Sequence, residues 1–453
     1  MIDLPLTIKE TQEGLMNKKF SAVELVDSYL ARINKYNKDL NIFLTVTEEE
    51  AYKKAKWADK ILSNYPLLGV TVAHKDLFLT KGVRTTAGSK VLESYVPTYS
   101  ATIVDRLEKA GAIMIGKTNC DAWAHGSSGE NSDFGATKNP WNKNYVAGGS
   151  SSGSAAALSA NMALISTGTD TCGSIRVPAN FNYLVSLKPT YGVISRYGVI
   201  AMASSLDCVG PLGHSVDDVK QIFDVIKGKD GFDSTVIEKT NGEKPNSKLK
   251  IGIAKEFFGE GLDKAINVFK KLGIEIKEVN MPTTKYAISV YYIIQPAEVS
   301  SNLARFDGIR YGSTRQNFGD EAKRRIMLGS YVLSSGYYDA YYLKAMKVRT
   351  KIKEEVDDVF SQVDALIAPV SPTPPFKIGE KTKDPLKMYL TDIFAATANL
   401  TGIPSLALPF GFTKDNLPLG FQLMGPRFSE ETLFSLGKMF EKETGYKPKV
   451  AKI

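Results

Sequence analysis

Three stretches of this chain hold residue types whose spacing could do chemistry. Gly111-Ala-Ile-Met-Ile-Gly116-Lys117-Thr118 satisfies the phosphate-cradle pattern GxxxxGK[ST] letter for letter. A cradle needs a flexible turn between strand and helix, whereas Ala112-Ile-Met-Ile115 itself reads as a strand, which argues against nucleotide binding there. Gly149-Ser-Ser151-Ser-Gly153 fits GxSxG, the nucleophile turn of α/β-hydrolases, which then requires an acid and a histidine downstream. The one later histidine, His214, sits in the turn-like Pro211-Leu-Gly-His-Ser, so a Ser-His-acid triad is not expected. The third stretch is longer and rich in small residues: Gly148-Gly-Ser150-Ser-Ser-Gly-Ser-Ala-Ala-Ala157, then Gly168-Thr-Asp-Thr-Cys-Gly-Ser174-Ile-Arg-Val-Pro178, then Leu187-Lys-Pro-Thr-Tyr-Gly192.

Together these three segments resemble the Gly/Ser-rich signature of the amidase signature family, and the resemblance runs over nearly the whole chain. It implies one large α/β domain spanning 1–453, with a mixed central β-sheet covered by helices on both faces. Within it, 1–66 would be an N-terminal helical segment, 67–220 the signature core and 221–453 the remainder with the substrate pocket. The resemblance also implies a Ser-Ser-Lys triad: Lys75 at the end of the apolar run Val72-Ala-His, Ser150 as the bridge and Ser174 as the nucleophile. The residue types suit that chemistry. A serine hydroxyl attacks only when a base removes its proton, and the chain's three histidines supply no obvious one. A lysine is normally protonated up to about pH 10.4, so Lys75 must lie in a dry setting that favours its neutral form. Ser150 can donate and accept at once and so relay the proton in both directions.

Acyl transfer passes through an oxyanion, which backbone N–H groups of a tight turn can stabilise; Thr171, Cys172, Gly173 and Ser174 are the candidates. Asp170 and Arg176 flank this loop and could pin it, an ordinary surface ion pair being the alternative. His74, next to Lys75 on a strand, should point away from the triad. The sequence departs from the family where Cys172-Gly173 replaces Gly-Gly and Ser152-Gly153 replaces Gly-Gly. A side chain at residue 172 would cost about 1 kcal/mol if that residue needs positive φ. Cys172 as the nucleophile lacks an identified histidine base.

Further segments, among them Gly126-Ser-Ser-Gly-Glu-Asn131, Thr137-Lys-Asn-Pro-Trp141 and Phe306-Asp-Gly-Ile-Arg-Tyr-Gly312, resemble more narrowly the glutamine-hydrolysing A subunits of tRNA-dependent amidotransferases within that family. This implies a glutamine pocket with Arg325 on the α-carboxylate, Asp392 on the α-ammonium and Tyr291 as a supporting hydroxyl, with Tyr292 as the alternative. It also implies a heterotrimer in the cytoplasm. A B subunit would bind ATP and magnesium and amidate Glu-tRNA(Gln), in some complexes Asp-tRNA(Asn), and a small C subunit would wrap the pair. This chain itself would carry no cofactor and no metal. The segments after Gly312 and from Gly259 to Leu272 are shorter than the family's, which touches partner contacts. A stand-alone amidase of small amides and a scaffold disabled by Cys172 are the competing readings.

The elements that must hold these residues read as follows. Ser21-Ala-Val-Glu24 is a capping box opening a helix, and Thr47-Glu-Glu-Glu50 reads as a second. Short apolar runs (Leu68 to Ala73, Ile113 to Ile115) then alternate with helical patterns such as Ala101 to Ala110, the signature of α/β. Gly148 to Pro211 carries apolar pieces that must be packed, so it reads as core in which backbone approaches backbone, not as linker. Gly228 to Lys248 reads as a surface connection. Tyr338 to Val363 and Tyr389 to Leu400 read as helices, Ala365 to Val370 and Ser405 to Pro409 as strands. The three cysteines, Cys120, Cys172 and Cys208, suggest neither disulfides nor a metal knuckle. With 57 Lys and Arg against 49 Asp and Glu, the formal charge of +8 could help an encounter with RNA, although the basic pairs are scattered among acids. No apolar run approaches the roughly 20 residues of a membrane span, and Met1-Ile-Asp-Leu-Pro-Leu does not read as a secretory signal.

Overall fold

The computed structural model describes residues 2–61, 65–237, 249–257, 259 and 261–453. Part of the expected surface connection, 238–248, lies outside them. Eleven strands form one sheet, in the order Phe43–Val46, Ile113–Thr118, Thr71–Lys75, Ile165–Asp170, Cys208–Gly213, Val185–Lys188, Ser405–Phe412, Pro418–Met424, Ala365–Pro369, Lys250–Ala254, Glu275–Val279. Thr71–Lys75 runs parallel to both its neighbours, and Ile165–Asp170 meets Cys208–Gly213 antiparallel, so the sheet is mixed as expected. Every residue of Thr71–Lys75, Ile165–Asp170, Val185–Lys188, Cys208–Gly213 and Ala365–Pro369 is buried. A strand buried at consecutive positions is covered on both faces, because successive side chains point to opposite sides. The expected α/β fold is therefore the observed one.

The close backbone approach expected of the Gly/Ser-rich stretch is also present. Helix Ser152–Ser159 is buried throughout. A Cβ on Gly153 would come within 2.6 Å of the carbonyl oxygens of Asn119 and Ile42, so no larger residue fits where this helix meets the strand ends. Helix Ala22–Leu40 begins with the capping box read from Ser21 and Glu24.

Thr47 differs. Helix Glu48–Lys60 does follow it, but the Thr47 hydroxyl donates 3.1 Å to the Met114 carbonyl instead of capping the helix, because it faces the neighbouring strand. Tyr338 to Val363 divides into a π-helical turn, Tyr338–Leu343, and helix Lys344–Phe360. Tyr389 to Leu400 is not one helix either: Pro385–Tyr389, the 3₁₀ turn Leu390–Asp392 and Ala396–Thr401 follow one another. Here the carbonyls of Phe394 and Ala395 accept from Gln422 Nε2 (2.9 Å) and Arg176 Nη2 (3.1 Å), side chains far away in sequence. Among the described residues no helix is long and apolar enough to cross a membrane.

Candidate active site

Lys75 is the last residue of its strand and has no exposed surface. Its Nζ donates 2.8 Å to Ser150 Oγ and 2.8 Å to Thr169 Oγ1 on the adjacent parallel strand. Burial lowers its pKa to about 8, against the opposing pull of Cys120, Asp121, Asp170 and Asp207. The dry setting that a lysine base needs is thus present. No sequence pattern points to Thr169; it is the second fixed point that aims the ammonium.

Ser150, fully buried, sits just before helix Ser152–Ser159, and its carbonyl accepts from the Asp121 N–H at 3.2 Å. The next residue ties the two serine loops together, because the Ser151 N–H donates 3.1 Å to the Ser174 carbonyl. Ser174 is 6% exposed, against 0% for Lys75 and Ser150, and is therefore the least enclosed of the three. Among the described residues its hydroxyl has no hydrogen-bond partner. His74 is engaged elsewhere, with its Nδ1 2.9 Å from Thr167 Oγ1.

The turn before Ser174 is held from below by Asp170 and Arg176, both with fully buried side chains. Arg176 donates through Nε and Nη2 to the two oxygens of Asp170, each at 3.0 Å, and through Nη1 and Nη2 to Gln422 Oε1 and Asn399 Oδ1, each at 2.7 Å. Although burial works against it, the Arg176 guanidinium holds the Asp170 carboxyl well below the ordinary carboxylate range. The pair is a buried structural bolt, which rules out the surface ion pair that the sequence also allows.

Asp170 Oδ1 also accepts the Gly173 N–H at 2.7 Å. Of the four N–H groups expected at the oxyanion hole, that of Gly173 is thereby engaged, whereas those of Thr171, Cys172 and Ser174 have no protein acceptor among the described residues. Positive φ falls at Gly173 (99°) and not at Cys172, so the thiol residue carries no backbone strain. Cys172 is buried in an apolar cluster with Leu206, Tyr291 and Ala396. Burial pushes its thiol well above the ordinary range, the reverse of what a nucleophilic thiolate needs.

A cavity of about 240 Å³ is lined by His125, Ser127, Tyr292, Arg325 and Tyr389 among others. Arg325, on helix Asp320–Val332, is 3% exposed; its Nε donates 2.8 Å to Glu321 Oε1, and its guanidinium stands 5.4 Å from the Tyr292 ring and 5.7 Å from the Tyr389 ring. Asp392 accepts from Ser127 Oγ at 2.5 Å and from the Tyr292 hydroxyl at 3.3 Å. Burial raises its carboxyl to about 7. The hydroxyl on Asp392 therefore belongs to Tyr292 and not to Tyr291, whose ring packs into the Cys172 cluster. Adjacent tyrosines on helix Ala287–Asn302 point in different directions, which sequence cannot resolve. Ser127 is likewise a contact that only the fold reveals, although it lies in the run Gly126 to Asn131.

The cradle-like Gly111 to Thr118 contains strand Ile113–Thr118, and Lys117 is buried there against Asp76 at 3.0 Å, donating also to the Phe78 carbonyl and Thr85 Oγ1. A lysine so engaged cannot reach a phosphate. His214 is buried and unconnected to Ser174, so the GxSxG reading has no histidine to complete it.

The model of the family described as Amidase matches residues 24–434. The chain belongs to the amidase family. Within that family it is 48% identical over 473 residues to the A subunit of the glutamyl-tRNA(Gln) amidotransferase of Geotalea daltonii, covering 97% of this chain and 98% of the relative. It is 46% identical over 472 residues to the corresponding A subunit of Marinomonas sp., covering 97% of each. The crystal structure of the glutamyl-tRNA(Gln) amidotransferase A subunit from Thermotoga maritima superimposes with a TM-score of 0.84 at 39% identity, covering 100% of both chains.

Proposed function

We propose that this amidase hydrolyses the side-chain amide of glutamine and, as the A component of a cytoplasmic complex with B and C subunits, supplies ammonia for amidating Glu-tRNA(Gln). The observation that carries the glutamine reading is a buried guanidinium, Arg325, that lines a small cavity together with Ser127 and Tyr292, the two residues whose hydroxyls donate to the buried carboxylate of Asp392. Such a pair is complementary to the carboxylate and ammonium of an α-amino acid. The relatives named above support the tRNA-dependent setting.

In this reading the Ser174 hydroxyl turns onto Ser150 Oγ when substrate binds; neutral Lys75 then accepts the Ser150 proton while Ser150 takes that of Ser174, and Ser174 Oγ bonds to the amide carbon. The N–H groups of Thr171, Cys172 and Ser174 hold the oxyanion. As the C–N bond breaks, the proton returns through Ser150 to the leaving ammonia, and a glutamyl ester remains on Ser174. Water, activated by the same relay, attacks the ester and frees glutamate. ATP and magnesium chemistry is assigned to the B subunit; nothing in these steps calls on either.

The test is ammonia release from glutamine by the chain alone and with B and C subunits added. Strong dependence on the partners supports the proposal, whereas brisk partner-free turnover of simple amides points to a stand-alone amidase and silence throughout to a scaffold. Ser174→Ala and Lys75→Ala should each remove glutamine hydrolysis from the complex while leaving transamidation driven by free ammonium intact. Loss of both reactions would indicate structural damage instead.

A further inference from the structure

We infer that His125 is an additional substrate-binding residue, placed to hydrogen-bond the α-carboxylate of the amino acid alongside Arg325. The inference rests on the proposed glutamine site and deepens it. His125 has no exposed surface, yet neither ring nitrogen has a partner among the described residues. Its backbone is fully engaged, the N–H donating to the Ala122 carbonyl and its own carbonyl accepting from Asn131 Nδ2 at 2.6 Å, so the residue is firmly held while its polar edge is not. Orphaned ring nitrogens alone decide nothing, since His214 has them too. His125 differs in position: it lines the same cavity as Ser127, Tyr292 and Arg325. A buried polar group left unmatched is costly, and a cavity built for a charged ligand is where such a cost is recovered on binding.

Location selects which end of the ligand it meets. Asp392 already has the Ser127 and Tyr292 hydroxyls to orient it for an ammonium. The Arg325 guanidinium, by contrast, lines the cavity and has one nitrogen committed, to Glu321. Burial first, and the nearby Arg325 charge second, hold His125 well below its ordinary pKa and therefore uncharged. An uncharged imidazole offers one N–H and one acceptor, and the N–H can join Arg325 on a carboxylate without adding a second buried charge. The class of ligand this defines is an α-amino acid with a free carboxylate.

The experiment compares the assembled wild-type complex with His125→Leu and His125→Asn, measuring ammonia release from glutamine and from 4-aminobutanamide, which lacks the α-carboxylate. For His125→Leu, KM for glutamine should rise about tenfold or more, as for loss of one hydrogen bond to a charged group. Its kcat should stay within about twofold of wild type, the pattern of lost ground-state binding. His125→Asn, which keeps a donor, should recover part of the loss, and on 4-aminobutanamide wild type and His125→Leu should have the same kcat/KM. An unchanged KM for glutamine, or an equal loss on both amides, overturns the inference. Failure of the wild-type complex to hydrolyse glutamine would overturn the glutamine reading itself, a separate result.

Discussion

At pH 7 a lysine with a pKa of about 8 is neutral in about a tenth of molecules, which is what the geometry around Lys75 provides. With the neutral amine as the proposed base, kcat for glutamine should climb as pH rises through about 8 and level off above it. A flat profile across that range would remove Lys75 from the base role. Asp392, the proposed partner of the ammonium, acts in the other parameter: its carboxyl, raised to about 7, must be ionised to hold that charge, so KM should rise as pH falls through that value. Asp392→Asn should abolish this dependence and raise KM at every pH, as read from saturation curves. Lys75, Ser150 and Ser174 are singled out in the sequence by its resemblance to the family's Gly/Ser-rich signature, and the fold puts Lys75 within hydrogen-bond reach of Ser150. Thr169, Ser127 and the choice of Tyr292 over Tyr291 are not legible there, since a hydroxyl's partner depends on which way its strand or helix faces in the finished fold.

The turn from Thr171 to Ser174 is the element on which the chemistry depends. Gly173 has φ of 99°, and a Cβ there would come 2.7 Å from Ala395 Cβ. Gly173→Ala should therefore lower kcat severely and cost about 1–3 kcal/mol of stability, measured as a shift in the denaturation midpoint. A fully active, equally stable variant would mean that the turn tolerates a different path. Capping is a milder matter. Ser21→Ala removes the hydroxyl that accepts from the Glu24 N–H and should cost about 1 kcal/mol with activity unchanged. At this scale the chain is legible wherever local periodicity and long-range partners agree, as in helix Ala22–Leu40. It is not legible from Tyr389 to Leu400, where the apolar spacing suits one helix but the segment is divided among Pro385–Tyr389, the turn Leu390–Asp392 and Ala396–Thr401, and the Phe394 carbonyl accepts from Gln422.

Over the whole molecule, the α/β class can be read from alternating patterns, but the pairing of Ser405–Phe412 with Val185–Lys188, distant in sequence, cannot. That pairing places Gln422, on the next strand, under the nucleophile turn. Arg176 joins these distant parts through Asp170, Ala395, Asn399 and Gln422. Removing its charge as Arg176→Met should cost about 3–5 kcal/mol, as expected when one partner of a buried ion pair is lost, and a clear fall in melting temperature would register it. This bolt also carries a consequence for biosynthesis. A ribosome emits Ser174 long before it reaches Gln422, so the growing polypeptide carries this serine while part of the frame that braces its turn is still untranslated. The turn before Ser174 can thus be bolted in place only once the later strands have been made.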